Sequence, residues 1–287
     1  MKKNFGFVFV LFFILACNTP ALTQQPGIGP TAALPATQPP VDLPTEAPSA
    51  TAQSDAIIPE GEIASMGGIS FLMPNGMASD ASSVMTGDVE FPYIYPMEQP
   101  MPQHAKFILN NYPVQGAMFE PQIMVFNAAE YAQYGTSETQ LIAVLTHMNF
   151  TDDQPLPAGL PVGAGYNAQV YGINFQNGKG IRYLTQFDQA PVPANNQGLI
   201  YYFHGITNDG QYYVEAILPV QAPFFAADSS PNSLVPADGI PFPVDMEGMI
   251  GYYSAITERL NATDTFSFTP YLDHLDSMME SIQITGF

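Results

Sequence analysis

The sequence has no tryptophan, a single cysteine and only six basic residues among 287. One cysteine cannot form an intramolecular disulfide, so the fold has no covalent staple. Nucleic-acid binding is excluded, because phosphate contacts need clustered Lys and Arg. A polybasic membrane patch is excluded for the same reason. Charged residues of both signs make up 11% of the chain, against about 25% in an average soluble domain. Few surface ion pairs can form, so stability must come from burial and backbone hydrogen bonding. No apolar run is long enough to cross a bilayer, which takes about 20 residues; the longest, Phe5–Ala16, has twelve.

Several reactive motifs are also missing. There is no HExxH and no Cys/His cluster, so no metal site and no cofactor are expected. No Gly-x-Ser-x-Gly elbow occurs. Gly178-Lys179-Gly180 lacks the earlier glycine and the following Ser or Thr of a phosphate loop and reads as a hairpin turn. Asp152-Asp153 and Asp238-Gly239 lack the alternating ligands of a calcium loop.

What is present begins at the N-terminus. Lys2 and Lys3 precede the apolar run, Ile14-Leu15-Ala16 ends it, and Cys17 follows directly. This arrangement resembles the signal peptide and lipobox of bacterial lipoproteins. The resemblance implies removal of residues 1–16, a diacylglyceryl thioether on Cys17, and an extracytoplasmic protein anchored to a membrane of the cell envelope. The mature chain would keep four basic residues (Lys106, Lys179, Arg182 and Arg259) against 26 acidic ones, a formal charge of −22. Residues 17–56 form a Pro/Thr/Ala-rich segment in which eight prolines interrupt Thr, Ala and Gln. With no apolar periodicity to bury, it reads as a disordered, partly polyproline II tether.

Residues 57–287 read as a single α+β globular domain. Ile69–Met73, Lys106–Leu109 and Ile123–Phe126 are strand candidates, and 75–103 reads as mostly irregular. Ala128–Tyr134 suits a short helix, and Ser137–Met148 a longer one capped by Ser137. Gln169–Phe175 and Ile181–Phe187 flank Asn177-Gly178, a strong hairpin signal because both residues accept positive φ. Leu199–Ile206 and Gln211–Val220 repeat the theme around Thr207–Gly210. Both faces of Leu199–Ile206 are apolar or aromatic, so the antiparallel sheet should be covered on both sides. The 221–247 connection is long, which often marks function or mobility. Met249–Leu260 reads as a helix, and a last one should start with Thr269 as N-cap and Pro270 at its first position. Helices packed on an antiparallel sheet give an α/β/α sandwich-like layout. The hairpins "GIRYLTQF" and "LIYYFHGITNDGQYYVEAILPV", followed by "LDHLDSMMESIQI", resemble the PsbP-like α/β/α sandwich, which implies binding or accessory roles and carries over no site residue.

Candidate site residues in the body are Arg182, His204 and Tyr202, all on the central hairpins. Arg182 should pair across the sheet with Glu215. His204, in mid-strand among aromatics, reads most simply as a packed histidine. Tyrosines 183, 201, 202, 212 and 213 crowd one sheet, but the absence of tryptophan weighs against a sugar-stacking platform there. The reading is a lipid-anchored protein in a non-catalytic binding or envelope-accessory role, with a protein, glycan or small-ligand partner. The alternative is a membrane-anchored hydrolase of polymeric substrates.

Overall fold

The computed structural model describes residues 60–87, 101–148, 163–230, 232–245 and 248–287, all within the unit Asp55–Phe287. The proposed leader, Cys17, the 17–56 tether and Asp152-Asp153 lie outside the described residues.

Among the described residues, ten strands and four α-helices make a mixed α+β fold, with most of the structure in sheet. Strands β1 (Gly61–Met66) and β2 (Ile69–Pro74) form a hairpin, and β10 (Gln283–Ile284) adds to β2. The larger sheet has seven antiparallel strands. They are β3 (Asp80–Thr86), β4 (His104–Asn110), β5 (Gln122–Asn127), β6 (Gly163–Phe175), β7 (Gly178–Asp188), β8 (Ile200–Thr207) and β9 (Tyr212–Pro219). Their spatial order is β3-β4-β5-β9-β8-β7-β6. The helices are α1 (Ala128–Tyr131), α2 (Thr136–His147), α3 (Gly248–Asn261) and α4 (Leu272–Glu280).

Every residue of β8 is buried. Strand alternation sends Tyr202, His204 and Ile206 toward a core that includes Leu141 and Leu145 of α2. Tyr201 and Phe203 go to the opposite core, with Ile256 and Leu260 of α3 and Leu272, Leu275 and Met279 of α4. Two-sided burial explains why the central strands carry no polar stripe. In α4 the apolar residues recur at helical spacing, so a single face meets the sheet.

Four sequence expectations change. Within 75–103, read as mostly irregular, Asp80–Thr86 forms edge strand β3, and 88–100 lie outside the described residues. The sequence Asp-Ala-Ser-Ser-Val-Met-Thr hides this because an edge strand facing solvent needs no apolar alternation. Helix α2 starts at Thr136 behind Gly135, with no side-chain cap from Ser137. Helix α4 starts at Leu272 behind Tyr271, because Thr269 instead makes paired backbone bonds with Gln221 (2.8 and 3.0 Å). The hairpin at Asn177-Gly178 forms in the expected place but for a different reason. Gly178 is already in β7 and has no positive φ; a Cβ there would collide with the Phe175 ring and the Ile206 carbonyl at 2.5 Å.

Gly180 is a similar case, since its Cβ would lie 2.5 Å from the His204 carbonyl and strike the Phe203 ring. Gly180→Ala should lower stability by about 1–3 kcal/mol through overpacking. Urea denaturation would show this as a lower midpoint with an unchanged slope.

Candidate functional site

The structure separates the three candidate residues of the body. Tyr202 and His204 face α2, and Arg182 faces α4, on the other side of the sheet. They do not form one site.

Arg182 does not pair with Glu215. Alternation places Glu215 on the α2 face with His204, its cross-strand partner, whereas Arg182 reaches α4. Its Nε donates to Asp276 Oδ1 at 3.0 Å and its Nη2 to Asp276 Oδ2 at 2.9 Å, a bidentate fork. Its Nη1 donates to the Gln169 carbonyl. Tyr201 Oη donates to Asp276 Oδ1 at 2.9 Å. The guanidinium also lies over the rings of Tyr171 and Tyr201, at 5.3 and 5.8 Å. With 4% of its side chain exposed and each of its three nitrogens making a hydrogen bond inside the fold, Arg182 is held between α4 and β6.

The network continues to the end of α3. Gln169 sits at a register shift of edge strand β6 with φ +52°. Its backbone N–H donates to Asn261 Oδ1 at 2.6 Å. Its side-chain amide donates to the carbonyls of Leu260 (2.8 Å) and Thr263 (2.9 Å). The Leu260 carbonyl, in the last turn of α3, also accepts from the Thr263 N–H at 3.1 Å, and Thr263 lies just past the helix, so one bulge residue is tied to the C-terminal end of α3.

On the α2 face, His204, Glu215 and tyrosines 131, 183, 202 and 213 form a buried polar island. His204 Nδ1 lies 2.7 Å from Tyr213 Oη, and Nε2 lies 3.3 Å from Tyr183 Oη. Tyr202 Oη donates to Glu215 Oε1. Burial pushes the Glu215 carboxyl up to about 7, opposed by the Tyr202 bond. Burial pushes the His204 imidazole down to about 3. The four phenols are raised, chiefly by burial and also by the nearby Glu215, so they stay neutral. The island therefore favours a neutral histidine beside a neutral carboxyl. None of tyrosines 183, 201, 202, 212 and 213 offers an open stacking face: 183, 201, 202 and 213 are buried and Tyr212 is half-buried.

A more open feature lies where the long connection meets the end of α3. It is a groove of about 310 Å³ lined by Pro223, Phe224 and Asp238 on one side and by Arg259, Ala262, Thr263, Asp264 and Ser267 on the other. Arg259 Nη2 donates to Asp238 Oδ2 at 3.1 Å, and the guanidinium lies 5.0 Å from the Phe224 ring centroid. Sequence reasoning flagged only the length of the connection and the scarcity of arginine, and assigned none of these residues to a site. Among the described residues no cluster of three or more His, Cys, Asp or Glu could hold a metal, and no helix is long and apolar enough to cross a membrane.

Removing one member of a buried ion pair leaves the other uncompensated and costs about 3–5 kcal/mol. Asp276→Asn should lose stability on that scale, and Arg182→Met combined with Asp276→Leu should lose less than the sum of the two single changes. Chemical denaturation of the four proteins tests the coupling. The buried island gives a pH prediction. A raised Glu215 lowers stability as pH rises from about 4.5 to 7, and a lowered His204 lowers it as pH falls from about 6.5 to 3. Between about 4.5 and 6.5 the two slopes cancel, because folding moves one proton from histidine to carboxyl without net uptake. Glu215→Gln should therefore add a loss of about 3 kcal/mol on acidification across that window, relative to the unaltered protein. His204→Gln should add a loss of similar size in the opposite direction. Stability measured against pH for the three proteins checks both signs.

Compared with protein-family models, with curated proteins and with solved structures, the chain matches none of them.

Proposed function

We propose that the chain is an exported protein held at a membrane by a lipid on Cys17, with its folded body in a non-catalytic binding or envelope-accessory role. The observation that carries this is the N-terminal run of residues: Lys2-Lys3, the apolar Phe5–Ala16, and Cys17 directly after Ile14-Leu15-Ala16. It is the only cysteine of the chain, and thioether acylation gives a lone thiol in an exported protein a use. Each buried methylene of an acyl chain contributes about 0.8 kcal/mol, so two chains on one residue hold a protein firmly. The 17–56 tether then acts as a spacer between membrane and body.

The non-catalytic part of the reading draws on how the interior polar groups are used. Arg182 is committed to Asp276 and Gln169, Tyr202 to Glu215, and His204 to Tyr213 and Tyr183. Buried ion pairs and phenol networks of this kind shift pKa values for structural reasons as readily as catalytic ones. We read the body as an α/β/α sandwich similar in layout to PsbP-like domains, a reading supported by helices packed on both faces of the seven-stranded sheet.

Expression with a clickable fatty acid, with and without globomycin, tests the anchor. The unaltered chain should take up label and sediment with membranes. Cys17→Ala should lose the label and leave the membrane fraction, and globomycin should accumulate the longer, uncut form. Equal membrane partition of the two proteins, or no label on the unaltered one, overturns the proposal.

A further inference from the structure

The groove at the end of α3 differs from the two interior networks in having hydrogen-bonding capacity left over. Asp238 uses Oδ2 on Arg259. Asp264 uses Oδ1 on the Phe266 N–H at 2.9 Å. Among the described residues, that leaves Asp238 Oδ1, Asp264 Oδ2, the Nε and Nη1 of Arg259 and the Ser267 hydroxyl open to a ligand. They are planar carboxylate and guanidinium edges with a hydroxyl, arranged around one concavity. Its volume is at the lower end of the range of about 300–1,000 Å³ typical of small-molecule sites.

Its chemistry narrows the ligand. Arg259 is already neutralised by Asp238, and Asp264 adds a negative charge beside the carbonyl end of α3, where the helix dipole is also negative. An anion is therefore disfavoured. The Phe224 face, where an organic cation would stack, is taken by the Arg259 guanidinium. What remains suits a neutral molecule with many hydroxyls, each able to donate to a carboxylate and accept from a guanidinium.

A second observation agrees. The short 3-10 turn Thr265–Ser267 contributes Ser267 to the groove, and its Phe266, between the groove residues Asp264 and Ser267 in the chain, is 58% exposed. The Phe266 ring meets that of Tyr271 edge-on at 5.4 Å, and Tyr271 meets His274 at 5.3 Å. This exposed aromatic row leads away from a polar groove. The C–H face of a pyranose packs on an aromatic ring while its hydroxyls seek polar partners. Thr263, which lines the groove, is held through its carbonyl by the Gln169 amide.

We propose that this groove and the Phe266–Tyr271 row together bind a neutral oligosaccharide, one ring in the groove and the next over the aromatics. The inference deepens the binding role proposed above and rests on it only for its extracytoplasmic setting.

The test is calorimetric titration of the full acylated protein, in a sugar-free polyoxyethylene detergent. The probes are cellotetraose, maltotetraose and tetra-N-acetylchitotetraose, with tetragalacturonate as the anionic control. At least one neutral probe should bind with Kd below about 1 mM. Phe266→Ala, Tyr271→Leu and Asp238→Asn should each weaken it about tenfold or more, with melting temperatures unchanged. No binding by any neutral probe, equal binding by tetragalacturonate, or unaltered affinity in all three variants overturns the proposal. The same titration with Cys17→Ala separates the two readings. Its affinity should equal that of the unaltered chain, because the acyl group takes no part in the groove. An acylated chain that binds no sugar removes the groove assignment alone, and an unaltered chain found to carry no acyl group yet binding a sugar removes the anchor alone.

Discussion

The buried fork between Arg182 and Asp276 organises one side of this protein. A guanidinium with almost no water contact must find partners for all its nitrogens, and here they come from α4 and from the bulge of β6. That need fixes where α4 lies on the sheet and where the β6 backbone departs from regular pairing. The bulge residue, Gln169, in turn binds carbonyls at the C-terminal end of α3. Four elements are thus positioned by one charge, in a chain that carries only two arginines. Replacing such a charge by apolar groups is often tolerated energetically, so its contribution here is best described as orientation: a leucine in place of Arg182 would pack without specifying an angle or a register.

The other face of the sheet solves burial in the opposite way. Glu215 and His204 sit side by side without forming an ion pair with any base or acid, surrounded by four phenols that supply hydrogen bonds without charge. Neutrality is maintained by proton position instead of by countercharge. The two faces of one sheet therefore hold polar groups by different physics, one ionic and bidentate, the other uncharged and shared.

Much of the sheet could be read from local sequence. The hairpins of residues 163–219 follow from aromatic and β-branched runs broken by short polar turns, and α2, α3 and α4 follow from helical spacing. What failed was whatever depended on distant partners. Arg182 was assigned to Glu215 because cross-strand neighbours are the only partners a strand pattern offers, whereas Asp276 is 94 residues away on a helix. Thr269 looked like a cap because nothing local shows that its backbone is bonded to Gln221. Edge strand β3 carried no signal because water satisfies its outer face. The groove was illegible for the same reason: Asp238, Arg259 and Asp264 are unremarkable one by one, and only the return of the long connection onto the end of α3 brings them together.

The pairing of β10 with β2 has a temporal consequence. Ile284 hydrogen-bonds within a strand pair whose other member begins at Ile69, and Thr285 and Gly286 close backbone contacts with Gly68. The smaller sheet can be finished only when residues 283–286 have been synthesised, long after its first hairpin. A chain still emerging from the ribosome cannot complete this sheet before those residues are made, and a chain cut before Gln283 would leave the first hairpin with an open seam.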